Sequence, residues 1–282
     1  MDAQYITPVE RRGDFWFKRE DLYKPYDFSP ANGSKLRQCQ MLVAKNIDKT
    51  TNGIITGTSV LSPQAVIAAS VAREHGVSCD IFYGGTRIEL LKEKKYPSIA
   101  MSLGANVEVV TKMGYTSVLT AKAEERAKAN DLFHIRYGFD LRNNLDCFVD
   151  SVAHQVRNIP YEVRNIVITV GSSITLVGVL YGMALYPNNI ENVYAIGCAP
   201  NRLGRIQEYV DMIYFEYGVS LPTNKVKYVD AFKNVKGYKY ENTMKEEYCD
   251  ITFHPRYEAK TFHWLRQNKI DDCLFWITGA DM

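Results

Sequence analysis

The sequence of 282 residues has no apolar run long enough to cross a bilayer, and its N-terminus, MDAQYITPVERRGDFW, lacks the apolar core of a secretory signal. These absences predict a soluble, uncleaved, cytoplasmic protein without membrane contact. The six cysteines are scattered, with no CxxC pair and no Cys/His cluster, so we expect reduced thiols and no metal site. The net charge of only +2 neither predicts nor excludes a nucleic-acid partner. The run KEKK (92–95) is expected to be a solvated helix face rather than a nucleic-acid patch.

The sequence does contain a regular alternation of short apolar runs and helical patterns. NGIITGTS (52–59), VSCDIFYGG (77–85) and NIVITVG (165–171) are typical of buried strands. Helical patterns follow them, as in residues 62–76, where Ser62 is the expected N-cap and Gly76 the stop. This alternation predicts an α/β fold with mostly parallel sheets flanked by helices. Because ligands bind such sheets at the carboxyl ends of strands, the loops GTSVLS, GSSIT and TGADM are expected to carry the site.

Lys35 stands in SPANGSKLRQCQ (29–40), directly after a Gly-Ser pair and at the head of an apolar-periodic segment. A helix dipole disfavours a cation at this end. Lys35 is therefore either an ordinary surface lysine or the neighbour of an anionic, carbonyl-bearing ligand.

A second feature is VGSSITLVG (170–178), where small residues lead from a strand into a helix. Backbone N–H groups in such a loop converge on an anion such as phosphate; an ordinary strand-to-helix turn is the alternative. The P-loop pattern and the dinucleotide fingerprint are both absent from the sequence. A phosphate bound here would therefore belong to another class of ligand.

Six motifs, spread in order from residue 7 to residue 281, resemble those of the pyridoxal-phosphate enzymes with the tryptophan synthase β fold, called fold type II. The nearest branch holds 1-aminocyclopropane-1-carboxylate deaminase and D-cysteine desulfhydrase. The segments are TPVERRGDFWFKREDL (7–22) with NGSKLRQ (32–38), SPQ (62–64), YGFDLRNNL (137–145), GSSITLVG (171–178), FHPRYEAKT (253–261) and CLFWITGAD (273–281).

The resemblance implies pyridoxal 5'-phosphate as cofactor and gives roles to the matching residues. Lys35 falls on the Schiff-base lysine, which also moves protons at the substrate's α-carbon. Thr278 falls on the hydroxyl that faces the pyridine nitrogen. The phosphate loop comprises Gly171, Ser172, Ser173, Ile174 and Thr175.

Substrate-facing roles follow from the same resemblance. Ser62 is expected to hold a substrate carboxylate, unless it serves only as a helix cap. Tyr257 and Tyr240 are expected acid/base or ring-stacking groups. The family motif SNH has become SPQ, so the asparagine that binds the cofactor's ring hydroxyl is missing. Gln64 is the predicted replacement, with Asn32 or a main-chain group as alternatives.

Three functions agree with these motifs. The first is a pyridoxal-phosphate-dependent lyase that acts on an amino acid or an amino-acid conjugate through an external aldimine, by elimination, deamination or decarboxylation at Cα. The second is a phage enzyme of the decarboxylase type that tailors amino-acid-modified thymidine in DNA. The third is a non-catalytic family member used as a binding protein. The resemblance also implies a homodimer and two lobes: a large cofactor-binding domain, residues 1–43 plus 146–282, and a small domain, residues 44–145.

Overall fold

The computed structural model describes residues 5–140, 142–198, 202–234 and 237–282, apart from the side chains of residues 148, 150 and 234. The strands are β1 (Val9–Arg12), β2 (Phe15–Arg19), β3 (Ile54–Gly57), β4 (Cys79–Gly84), β5 (Asn106–Thr111), β6 (Phe133–His134), β7 (Asn165–Val170), β8 (Asn192–Gly197), β9 (Val226–Val229), β10 (Glu247–Tyr248), β11 (Ile251–Thr252) and β12 (Cys273–Ile277). The helices are α1 (Ser34–Lys45), α2 (Gln64–His75), α3 (Lys95–Ser102), α4 (Thr116–Asn130), α5 (Leu145–Ala153), α6 (Ile174–Leu185), α7 (Leu203–Tyr217), α8 (Ala231–Asn234) and α9 (Glu258–Asn268).

The chain forms two compact units. The larger unit takes the described residues within Met1–Tyr23 and Leu141–Asp281, and the smaller unit takes Lys24–Asp140. Residues 24–43, grouped above with the larger lobe, thus fall in the smaller unit. The reason is packing of this segment on α2: the hydroxyls of Ser29 and Ser70 lie 2.6 Å apart, and the Tyr26 hydroxyl donates to Glu74 at 2.5 Å.

The larger unit is built on a six-stranded sheet with the order β1-β2-β12-β7-β8-β9. All neighbouring strands are parallel except β1 and β2, which form an antiparallel hairpin. Aromatic rings fill the core beside β2 and β12. The Phe253 and Phe262 rings stack at 4.4 Å, and Phe17 and Phe275 pack around them. This core fixes the carboxyl ends of β7 and β12, which are neighbours in the sheet.

The smaller unit is built on a four-stranded parallel sheet with the order β5-β4-β3-β6. Ile55 and Phe82 pack with Ala123 and Ala127 of α4. Residues 64–72 of α2 are all buried. Because all four strands run in one direction, the loops after β3, β4, β5 and β6 meet at one edge of the sheet.

The predicted α/β class with mostly parallel sheets is confirmed. The helical segment after β4 is not continuous: a 3-10 segment, Ile88–Glu93, is followed by extended Lys94 and then by α3. Pro97 explains the restart, since a proline is tolerated in the first helical turn, where its N–H is not needed. None of the helices in the described ranges is long and apolar enough to cross a membrane.

Candidate active site

In the smaller unit, the turn 136–139 after β6 organises the surroundings of Lys35. Lys35 is the second residue of α1 and is half-buried. Its Nζ donates to the Gly138 carbonyl at 3.4 Å and lies 5.3 Å from the centre of the Phe139 ring. Gly33, which caps α1, has φ +87° and ψ −176°, a conformation essentially confined to glycine. The Gly-Ser pair before Lys35 therefore serves the turn that places it.

Gln64 holds this turn in place. Its Oε1 accepts a hydrogen bond from the Gly138 amide at 2.7 Å. Its Nε2 donates to Thr56 Oγ1 at 2.7 Å and to the Arg136 carbonyl at 3.4 Å. The Gln64 amide thus binds both ends of the turn whose carbonyl meets Lys35. Its predicted contact with the cofactor's ring hydroxyl stays a prediction.

The loop after β3 carries two buried hydroxyls. Ser62 Oγ accepts a hydrogen bond from the Gln64 amide at 3.3 Å. The N-cap of α2 is Pro63, without a side-chain capping bond, so Ser62, the N-cap that the sequence predicted, lies one residue before the cap position. Thr58 is fully buried, and its Oγ1 has no hydrogen-bond partner among the described residues. A buried hydroxyl without a partner is costly, which makes Thr58 a second donor for a ligand. Sequence reasoning missed Thr58, because a threonine after a strand is common.

In the larger unit, the loop between β7 and α6 has the properties of an anion site. Ser173 adopts φ +74° directly before α6, and its buried Oγ has no partner among the described residues. A Cβ built on Gly171 would meet no heavy atom within 4 Å, so this position is open. Ile174 and Thr175 are buried. The first amides of a twelve-residue helix therefore follow an open loop, as phosphate binding requires.

Thr278, which follows β12, is hydrogen-bonded to a carboxyl group that sequence reasoning missed. Its hydroxyl donates to Glu258 Oε1, and its amide donates to the same oxygen at 3.2 Å. Glu258 is 1% exposed, and burial raises its pKa from 4.5 to about 7 against the lowering effect of the Thr278 hydrogen bonds. An acidic residue in the first turn of a helix is common for its favourable interaction with the dipole. Only its burial distinguishes Glu258.

Tyr257 and Tyr240 are brought together as a pair. Their hydroxyl oxygens lie 2.8 Å apart. The His254 ring packs 4.6 Å from the Tyr257 ring, centre to centre, and its Nδ1 accepts from the Arg256 amide at 3.2 Å. Neutral His254 therefore carries its proton on Nε2, which lies 3.8 Å from Asp281 Oδ1. Both predicted tyrosines thus lie in one hydrogen-bonded group at the start of α9.

The residues of each unit fit pyridoxal 5'-phosphate, the cofactor that the resemblance implies. The larger unit places the 171–175 loop and Thr278 at the carboxyl ends of neighbouring strands, with an unpartnered Ser173 hydroxyl in the loop. The smaller unit places Lys35, Gln64 and Ser62 around the ends of β3 and β6, which are also neighbours. Among the described residues, no three His, Cys, Asp or Glu side chains are arranged to hold a metal ion.

Comparison with known proteins supports this assignment. No protein-family model matches the chain. The O-seryl-dTMP PLP-dependent decarboxylase of Salmonella phage ViI is 26% identical, over 99% of this chain and 81% of the phage protein. An ACC deaminase homologue has a similar structure, with a TM-score of 0.79 and 19% identity over 98% of this chain and 89% of that chain.

A more distant structure is the processed form of threonine deaminase isoform 2 from Solanum lycopersicum. It has a TM-score of 0.67 and 15% identity, over 99% of this chain and 84% of that chain. At these identities the structural likeness establishes the fold. The predicted resemblance is confirmed: this chain has the tryptophan synthase β-like fold, fold type II of the pyridoxal-phosphate-dependent enzymes.

Proposed function

We propose that the protein is a pyridoxal-phosphate-dependent lyase that acts at the Cα of an amino-acid group, and that its reaction is decarboxylation of an amino acid linked to a nucleotide. The observation that carries the proposal is the placement of Lys35 at the carboxyl edge of a parallel sheet, against the Gly138 carbonyl and the Phe139 ring. The substrate class is supported by the likeness, along nearly the whole of this chain, to the phage O-seryl-dTMP decarboxylase.

The cofactor, when bound, supplies a conjugated ring that accepts the electron pair left at Cα when a substituent departs. Lys35 is the amine that would hold its aldehyde carbon. The loop 171–175 would bind its phosphate through backbone amides and the Ser173 hydroxyl. Thr278, backed by Glu258, would face its ring nitrogen.

Lys35 is also the proton carrier at Cα. In decarboxylation the bond from Cα to the carboxylate breaks, CO2 leaves, and one proton is added at Cα. The Gly138 carbonyl, 3.4 Å from the Lys35 Nζ, and the Phe139 ring, 5.3 Å from it, position the amine. A lysine held at this point would deliver the proton that decarboxylation adds at Cα.

Glu258 and Thr278 hold a second proton. With a pKa of about 7, the Glu258 carboxyl exchanges its proton near neutral pH. The Thr278 amide and hydroxyl both donate to Glu258 Oε1, so the carboxyl group fixes the orientation of the side chain that would face the cofactor's ring nitrogen.

The carboxylate of the substrate and the nucleotide to which the amino acid is linked need separate partners in the site. Ser62 and Thr58 supply hydroxyl donors in one loop of the smaller unit.

Free amino acids are the second substrate class, favoured by the fold shared with threonine deaminase. We also propose a cytoplasmic homodimer, as the resemblance to fold type II implies.

The proposal is tested with purified protein, added pyridoxal phosphate and two substrates, O-seryl-dTMP and free serine. We expect CO2 to be released from O-seryl-dTMP at least about 100-fold faster than from serine, because contacts to the nucleotide add binding energy in the transition state. The Lys35→Ala variant serves as the inactive control. Ammonium in place of CO2, or equal rates on both substrates, would contradict the proposed reaction or substrate class.

Replacing Tyr257 with phenylalanine is expected to lower kcat by about 100-fold or more, the usual contribution of a positioned acid/base group. Tyr240→Phe, which removes the partner hydroxyl at 2.8 Å, is expected to cost about tenfold and to shift the pH profile of kcat. The measurement is the pH dependence of kcat for both variants. Tyr161→Phe, on an exposed side chain, is the control. A loss for Tyr240→Phe as large as that for Tyr257→Phe would contradict the expectation that Tyr257 is the acid/base group and Tyr240 its hydrogen-bond partner.

A further inference from the structure

A surface of the smaller unit lies where β4 and β5 end. It consists of residues 85–95 and 112–118 and is called here the β4–β5 surface. The two segments touch through backbone atoms. A Cβ on Gly84 would lie 2.6 Å from the Met113 carbonyl oxygen, and one on Gly85 would lie 3.0 Å from the Gly114 amide nitrogen. The segments therefore form one continuous surface.

This surface exposes large apolar side chains. Tyr115 is 63% exposed and Met113 is 59% exposed. Tyr115 precedes α4, and its carbonyl accepts a hydrogen bond from the Leu119 amide at 3.1 Å, so the backbone fixes its position while its ring projects from the fold. The other exposed apolar residues of the surface are Ile88, Leu90 and Val118.

The surface is also basic. Five of its charged side chains are positive and two are negative. The basic residues are Arg87, Lys92, Lys94, Lys95 and Lys112, and the acidic residues are Glu89 and Glu93; all are exposed. The KEKK run is exposed, as predicted, but it does not form one helix face: it spans the end of a 3-10 segment, the extended Lys94 and the first residue of α3. We depart below from the expectation that this run is not part of a nucleic-acid surface.

We infer that the β4–β5 surface binds the polynucleotide strand that carries the substrate; this inference rests on the proposed function. Lysine and glutamate are depleted in protein–protein interfaces, whereas interfaces with nucleic acid are strongly positive. Exposed aromatic rings stack on bases, and neighbouring cations contact the phosphates. Tyr115 is the base-stacking residue, and Arg87 and Lys112 are the phosphate contacts.

The position of the surface agrees with this role. In the sheet order β5-β4-β3-β6, β3 and its loop with Ser62 lie between β4 and the turn after β6 that contacts Lys35. Three strand spacings separate β5 from β6, about 14 Å. A strand bound along this edge passes from Tyr115 towards the Lys35 turn within a few nucleotides.

The test measures binding of a fluorescein-labelled, unmodified single-stranded oligonucleotide by anisotropy, over a series of salt concentrations. Tyr115→Ala is expected to weaken binding about tenfold, since one stacked base contributes on that scale. Arg87→Gln combined with Lys112→Gln is expected to reduce the slope of log K against log salt by about 1.4, at about 0.7 per phosphate contact. The matched controls are Phe215→Ala, a 91% exposed aromatic residue of the larger unit, and Lys49→Gln, an exposed lysine near the amino end of β3.

Three results would overturn the inference: no oligonucleotide binding by the unaltered protein, losses in the controls equal to those in the variants, or altered self-association of Tyr115→Ala on size-exclusion chromatography without altered binding. The readout does not depend on cofactor chemistry. Oligonucleotide binding by a protein that releases no CO2 from O-seryl-dTMP would count against the proposed function and leave the surface assignment standing.

Discussion

Lys35→Ala is expected to lose the visible absorption band that the unaltered protein gives with pyridoxal phosphate, and to lower kcat by at least about 1,000-fold. Both effects have one cause, because the same amine holds the cofactor and carries the proton at Cα. Absorption spectra and single-turnover rates are the measurements.

Lys35→Arg tests whether a positive charge at position 35 is enough without an amine that can lose its proton. Arginine keeps the positive charge beside the Gly138 carbonyl, but its guanidinium does not lose its proton in a protein. We expect this variant to fold as well as the unaltered protein and to remain without the visible band. Lys49→Ala, on an exposed lysine, is the control and should keep both the band and the rate. A band that survives in Lys35→Ala would exclude Lys35 as the anchor.

Glu258→Gln is expected to stabilise the cofactor-free protein above pH 7 and to lower the activity of the protein loaded with cofactor. The folded pKa of Glu258, about 7, lies above the unfolded value of 4.5. Between these two pH values the unfolded chain has released this proton and the folded chain still holds it. The free energy of unfolding therefore falls by about 3 kcal/mol as pH rises from 4.5 to about 7. Above pH 7 the contribution of Glu258 no longer changes with pH.

Glutamine removes that penalty, since its amide does not ionise and its oxygen still accepts from Thr278. We expect unfolding in urea to show a gain of up to about 3 kcal/mol at pH 8, little change at pH 4.5, and a kcat at least about tenfold lower because the charge behind Thr278 is lost. Glu125→Gln, on an exposed carboxyl, is the control. Equal pH profiles of stability for Glu258→Gln and the unaltered protein would show that Glu258 titrates normally.

The sequence was informative where local patterns decide the structure. Continuous apolar runs predicted β3, β4 and β7, and the Gly-Ser pair identified the loop before Lys35. The hairpin β1–β2 was not predicted, because VERR carries three charges in four residues and is half-exposed. Helix α7 and strand β9 were also not predicted, although the buried Ile206, Tyr209 and Ile213 of α7 follow the helical period.

The site was predicted in part for a similar reason. Lys35, Tyr257 and Thr278 stand in motifs whose residue order is informative, whereas Glu258 and Thr58 look like an ordinary first-turn acid and an ordinary strand-end threonine. Their burial and missing partners distinguish them, and burial of a polar group depends on the packed fold. The dual use of Gln64 was hidden for the same reason, because Gln64 and Thr56 lie more than 70 residues before Arg136 and Gly138, and only the packed fold brings them together.

The contact between Gly84 and the Met113 carbonyl has a consequence for how such enzymes diverge. A Cβ at position 84 would lie 2.6 Å from the Met113 carbonyl oxygen, so a side chain there would displace backbone, and this glycine is expected to be retained as the sequence diverges. Met113 and Tyr115 touch solvent and are free to vary without cost to the fold. Lineages that adopt new substrates are therefore expected to change residues 113 and 115 while the framework beneath them stays fixed, which makes this loop a natural place to begin laboratory evolution of altered specificity.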